Sequence, residues 1–147
     1  MDKKQFIEIC DRKVKLVRTE CSLNQEKMSS TLGISKKTLV EIEKGRSSLG
    51  WTGSVALCAI FSNSEIIAGA FGGNPADIIL TLAFEGSEPR HFEPVLSGIW
   101  WQTVKEHSTN GCVIQQNIIS QHYRLLDSGG DRIASSFNLE DLENIEL

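Results

Sequence analysis

The stretch Leu23-Asn24-Gln25-Glu26-Lys27-Met28-Ser29-Ser30-Thr31-Leu32-Gly33-Ile34-Ser35-Lys36-Lys37-Thr38-Leu39-Val40-Glu41-Ile42-Glu43-Lys44-Gly45 spaces two short amphipathic segments around a single glycine. Met28 and Leu32 lie four residues apart, and Leu39 and Ile42 three apart, so each segment carries an apolar stripe of helical period. Gly33 sits where the first helix must end, because glycine takes a left-handed backbone there without a steric cost. Ile34 then plugs the crease between the helices. Ser35 precedes the second helix and can accept a bond from one of its unpaired amides, a contribution of about 1 kcal/mol. Gly45 closes the second helix as Gly33 closes the first.

So short a turn leaves the second helix projecting from the surface, with Lys36, Lys37, Thr38 and Glu41 facing outward. This is the pattern of a helix-turn-helix, and it points to duplex DNA.

Residues 3–71 resemble the lambda-repressor-like, Cro/C1-type (XRE) family of DNA-binding domains. The resemblance runs through Arg18, Leu23, Gln25, Met28, Gly33, Ile34, Ser35, Leu39, Ile42, Glu43 and Gly45. Ser29 departs from it, standing where the family usually places alanine, although serine is small enough for the same helix crossing. Glu41 also departs, standing where phage repressors of the family often carry a base-reading glutamine.

The resemblance implies roles position by position. Gln25 would bind a backbone phosphate and brace the first side chain of the recognition helix. Lys36 and Lys37 match base-reading or phosphate-reading positions, and a lysine there can donate to guanine O6 and N7. Thr38 would meet a phosphate or a thymine methyl. Glu41 only accepts, so it would favour the cytosine amino group or repel nearby phosphates. Lys44 and Arg46 are expected as phosphate clamps. Asn24 either bonds a phosphate or caps its helix, and Ser35 completes the DNA-facing set. Arg18 and Glu43 are assigned to structure, as a partly buried ion pair between the first helix and the recognition helix.

Charge supports the same reading independently of the motif. The chain carries −4 overall, but residues 1–49 hold 11 Lys and Arg against 7 Asp and Glu, a net +4, and residues 50–147 hold 4 against 12, a net −8. A basic module joined to an acidic one suggests that only the first touches phosphate.

At 147 residues and 40% apolar, the chain is long enough for a moderate core in each of two lobes. Residues 1–15 are charged throughout and show no secretory signal, and the uncharged residues 47–64 hold too many glycines and serines for a membrane span. A cytoplasmic protein is expected, with no membrane partner. Cys10, Cys21, Cys58 and Cys112 are scattered without C-x-x-C spacing, which predicts reduced thiols, and nothing near them in sequence marks a lowered thiol pKa. Cys10 fits an apolar stripe with Phe6, Val14 and Val17.

Residues 51–61 and 64–71 read as two further helices, which would complete a five-helix bundle over residues 1–72. Asn74-Pro75-Ala76-Asp77 carries the cap, N1 proline and early acid of another helix start. That helix, to about Phe84, is too apolar to stand alone, and is expected to pack on the C-terminal lobe, pair with its copy in a dimer, or both. Residues 73–97 therefore read as helix and linker, the linker spanning residues 85–94.

From residue 98 the signals change to strands over residues 99–106, 112–119, 121–126 and 132–137, with a hairpin at Asn110-Gly111. Asn138, Glu140 and Asp141 open a short terminal helix that covers one face of the sheet. The fold class is thus α+β: a helical bundle followed by a small antiparallel meander with a terminal helix. Residues 98–147 are expected to serve dimerisation or sensing.

His91, His107 and His122 with Cys112 lack the spacing of a compact zinc site. Ser97, Ser120, Ser135 and Ser136 lie in no nucleophile-elbow sequence, and no glycine-rich phosphate loop precedes a helix. No enzyme, metal or cofactor is expected. Trp100 and Trp101 are adjacent, so on a strand they point to opposite faces: one fills the core, and the other packs, lines a pocket or anchors an interface.

The expectation is a transcriptional regulator, a repressor, that binds a pseudo-palindromic operator in double-stranded DNA as a homodimer. Its C-terminal lobe would take a small-molecule or protein effector. The alternative is an antitoxin-type protein that holds a toxin through its acidic lobe and binds its own operator.

Overall fold

Asp2 starts the first helix because its carboxylate accepts from the Gln5 amide at 2.8 Å while Gln5 Oε1 accepts from the Asp2 amide at 2.9 Å. Two otherwise orphaned donors are satisfied together by this capping box. The helix, α1 (Lys3–Glu20), turns Phe6, Cys10, Val14 and Val17 fully inward, as the apolar stripe requires. In this computed structural model, residues 1–85, 100–106 and 111–146 are described. The chain divides into two units, Met1–Pro89 and Arg90–Leu147.

In the first unit α1 is followed by α2 (Gln25–Leu32), α3 (Lys36–Glu43), α4 (Gly50–Ile60), α5 (Glu65–Phe71) and α6 (Pro75–Phe84). Asn24, Ser35, Ser64 and Asn74 each cap the helix that follows with a side-chain oxygen. Helix α4 lacks a cap of its own. Instead, Asp11 on α1 accepts the Leu49 amide at 2.8 Å and fixes where α4 begins. The core gathers Phe6, Val14, Val17, Met28, Leu39, Ile42, Leu57 and Ile67 from five helices. Each fully buried large side chain here is worth roughly 1.5–3 kcal/mol.

Helix α6 begins at the expected Asn-Pro signal but packs within its own bundle, against α4 and α5. Leu82 joins the first core, with Ile78 and Ile79 packed on its edge. The sequence reading assigns this apolar helix to the C-terminal lobe or to a dimer partner. The apolar surfaces of α4 and α5 cover part of it, while Phe84 at its end stays exposed.

The second unit is a four-stranded antiparallel meander in the order β1 (Trp101–Glu106), β2 (Val113–Asn117), β3 (Tyr123–Leu126), β4 (Arg132–Ser136), followed by α7 (Leu139–Glu143). Ile114 pairs with Leu125, and Leu125 with Ala134, which puts the apolar side chains of three strands on one face. Leu142 of α7 closes over that face with Cys112, and Tyr123, Leu139 and Ile145 pack around it. The α+β class and the helix-covered meander therefore follow the sequence reading.

Two strands are shorter than their apolar runs. Asn117 Oδ1 accepts the amides of Ile119 at 3.0 Å and Ser120 at 3.1 Å, turning the chain, and Gln121 follows with φ of 60°. The strand expected over 112–119 accordingly stops at Asn117, and the next starts at Tyr123. Gly111 takes the positive φ of 69° that a hairpin glycine supplies. Asn110, His107, His91, Ser97 and the linker after Glu85 lie outside the described residues.

Neither adjacent tryptophan enters the second core. Trp100 lies just before β1 and is partly exposed. Trp101 packs under the Arg124 guanidinium at 3.7 Å and edge-on to His122 at 5.0 Å. A cation and an imidazole cover this indole, whereas the sequence reading expects one of the two tryptophans in the core.

Candidate nucleic-acid interface

The helix-turn-helix is punctuated twice by the same device. Gly33 has φ of 71°, with the Ile34 amide bonded to the Ser29 carbonyl at 3.0 Å, and Gly45 has φ of 72°, with the Arg46 amide bonded to the Glu41 carbonyl at 2.8 Å. Both glycines thus end a helix by satisfying carbonyls that would otherwise be orphaned. Between them, Leu39 and Ile42 anchor α3 in the core, and Ile34 packs on that core from the turn.

A charged network holds the far end of α3. Arg18 donates from Nε to Glu43 Oε1 at 2.6 Å and from Nη2 to Glu43 Oε2 at 3.1 Å, with side-chain exposures of 16% and 5%. This is the ion pair assigned to Arg18 and Glu43, in bidentate form. Burial pushes the Glu43 carboxyl up, but the hydrogen bonds from Arg18 and Gln25 and the charges of Arg18 and Lys15 outweigh it and hold the group below the usual carboxylate range. Its hydrogen bond to Glu43 raises Arg18 in turn, against a smaller opposing effect of burial.

Gln25 belongs to this network. Its Nε2 donates to Glu43 Oε2 at 2.9 Å, so it braces the last residue of α3, whereas the resemblance implied the first. The buried Glu43 carboxylate gives the amide nitrogen an acceptor there.

The remaining candidates lie on the outer side of α3 and at its two ends. Lys36 and Lys37 are exposed at its N-terminal turn, and Lys44 and Arg46 are exposed just past its C-terminus. Lys37, Glu41 and Lys44 follow a spacing of four and three residues and so form one stripe. Val40, which carries no role in the sequence reading, lies half-buried beside Glu41. The Glu41 carboxylate stands 3.9 Å from Arg46 Nη1, an exposed pair that adds little stability but offsets the acid's charge on this face.

Three candidates already have local work. Asn24 Oδ1 accepts the Lys27 amide at 2.7 Å, and Ser35 Oγ accepts the Thr38 amide at 3.0 Å. The Ser35 and Thr38 hydroxyls also bond each other at 2.8 Å. Of the two roles open to Asn24, capping is the one seen in this structure.

Several positioning contacts had no sequence signal. Arg18 Nη1 donates to the Leu23 carbonyl at 3.0 Å, tying α1 to the entry of α2. Glu20 at the end of α1 accepts the Ser64 hydroxyl and, at 2.9 Å, the Glu65 amide, which secures the start of α5. Such pairs join distant segments and follow no period.

Among the described residues, no group of three or more His, Cys, Asp or Glu is placed to hold a metal ion, and no single helix is long and apolar enough to cross a membrane. Comparison with family models, with curated proteins and with solved structures finds no match to this chain.

Proposed function

We propose that this chain is a sequence-specific DNA-binding transcriptional regulator, a repressor that acts in the cytoplasm and binds a pseudo-palindromic operator as a homodimer. The observation that carries the reading is the presentation of α3. Its inner side is fixed by Leu39, Ile42 and the Arg18–Glu43–Gln25 network, while Lys36, Lys37, Lys44 and Arg46 stand exposed at its two ends. A rigid helix with cations at both ends and a mixed stripe between them suits a major groove: the ends meet phosphates and the stripe meets base edges.

In this reading Lys36 and Lys37 enter the groove first, Glu41 selects a cytosine amino group, and Lys44 and Arg46 clamp the backbone. Gln25 positions Glu43 and leaves its second amide hydrogen for a phosphate. Two copies related by a two-fold axis would set their α3 helices in successive major grooves about 34 Å apart. The second unit, net acidic in sequence, stays off the duplex and supplies dimerisation or an effector surface.

Selection of bound duplexes from a random pool tests this directly. A recovered inverted repeat with half-sites one helical turn apart is the expected result. Equal affinity for the recovered sequence and for scrambled DNA at every salt concentration would refute sequence reading. A monomer in sedimentation at micromolar concentration, both free and on DNA, would refute the dimer.

A further inference from the structure

Two thiols far apart in sequence meet in the first core. Cys10 on α1 and Cys58 on α4, 48 residues apart, place their sulfurs 3.9 Å from each other, and both residues are fully buried. Ser54, one helical turn before Cys58, is buried beside them, and its hydroxyl makes no hydrogen bond of ordinary geometry. The spot is polar and tight within an otherwise apolar core.

The two sulfurs are not equivalent. Cys58 lines a cavity of about 400 Å³ walled by Val55, Ala59, Pro75, Ala76 and Ile79, whereas Cys10 does not border it. The cavity therefore brings a small neutral molecule up to Cys58 rather than Cys10, although neither side chain is exposed at rest. The hydrogen bond between the two thiols, together with burial, raises Cys10, and the same bond lowers Cys58 against the effect of burial. Cys58, the sulfur-bearing residue on the cavity wall, is therefore the one assigned to react first.

We propose that Cys10 and Cys58 are a peroxide-oxidised dithiol that closes an intramolecular disulfide between α1 and α4. The Cys58 thiolate attacks one oxygen of hydrogen peroxide, the O–O bond breaks, and the departing hydroxide takes up the proton released by Cys58 to leave as water. Cys58 is then a sulfenic acid. Cys10 Sγ attacks Cys58 Sγ, the S–O bond breaks, and the Cys10 proton leaves with the hydroxide as a second water. One peroxide is reduced and two thiols are oxidised, so the step needs no further co-reactant. Forming the bond requires the sulfurs to close from 3.9 Å to about 2.05 Å. Cys21 is the competitor, since it is exposed at the end of α1 but has no such neighbour at hand.

The test treats the full chain with hydrogen peroxide under conditions that preserve its circular dichroism, then denatures, alkylates and maps the peptides without reductant. The expected product has lost two hydrogens and carries the Cys10 and Cys58 peptides joined. Cys10→Ala should stop at a Cys58 sulfenic acid that dimedone captures, and Cys58→Ala should leave Cys10 reduced. The proposal is overturned if Cys10 and Cys58 both remain alkylatable at a dose that consumes Cys21. It is equally overturned if either one is found bonded to Cys21 instead. Should a variant fail to fold, the peptide map of the unaltered chain still decides.

Discussion

Arg18 uses one guanidinium to hold both ends of the helix-turn-helix, gripping Glu43 at the close of α3 through two bonds of 2.6 and 3.1 Å and the Leu23 carbonyl ahead of α2 at 3.0 Å. The orientation of α3 therefore depends on a residue of α1. Because the pair is largely shielded from water, loss of one partner strands the other charge.

Arg18→Met and Glu43→Leu should each destabilise the first unit by about 3 kcal/mol, the low end for a broken buried pair because Arg18 keeps some access to solvent. The double variant should recover part of that loss, since neither charge is then orphaned. Urea unfolding of the three variants measures this, and an unchanged midpoint in either single variant would remove the structural role.

Stability should also fall in acid through Glu43. Its folded pKa lies below the unfolded value of about 4.3, so its contribution is fully present above that value. It is lost as pH drops through the folded pKa, where the carboxyl gains a proton and the Arg18 pair is neutralised. Glu43→Gln should start lower and show a shallower decline of melting temperature from about pH 5 to about pH 3. Parallel curves for the two proteins would mean that other carboxyls govern the acid limb.

Gly33→Ala offers a clean measure of backbone strain. A Cβ at this position meets no heavy atom within 4 Å, yet φ is 71°, so the cost is conformational and amounts to roughly 1–2 kcal/mol. Gly45→Ala, with the same open surroundings and φ of 72°, should cost about the same. A large difference between the two in thermal melts would show that one of them carries an interaction beyond its own turn.

What the sequence disclosed is what local rules govern. The glycines, the caps at Asn24, Ser35, Asn74 and Asn138, the apolar stripe of α1 and the Asn-Pro start of α6 all act over a short span of chain, so spacing alone exposes them. Of the contacts that join distant segments, only Arg18 with Glu43 was expected, and that through the family resemblance; Asp11 with Leu49, Glu20 with Ser64 and Cys10 with Cys58 stayed hidden. The Trp101 position was hidden for a related reason. Alternation along a strand separates two faces, but only the cross-strand pair of Gln115 and Arg124 shows that the cation lies on the indole's face. In the interface, the outer residues of α3 were readable, whereas the partner of Gln25 depended on where Arg18 brought Glu43.

The DNA reading makes its sharpest prediction at the N-terminal turn and the middle of α3. Lys36→Ala and Lys37→Ala remove exposed cations that contribute nothing to the core, so folding should be unaffected while binding weakens. Where the lysine neutralises a phosphate, its removal should flatten the slope of log affinity against log salt by up to about 0.9. A lysine that reads guanine behaves differently: its removal relaxes preference at one base pair and leaves the slope nearly unchanged, at a cost of roughly 1–3 kcal/mol. Glu41→Gln keeps the side-chain shape, removes a charge and adds donors, so it should raise non-specific affinity and shift preference from cytosine towards adenine at one position. Fluorescence anisotropy with a selected duplex and a scrambled one, across a salt series, separates these effects. If all three variants bind both duplexes as the unaltered chain does, α3 is not the reading helix.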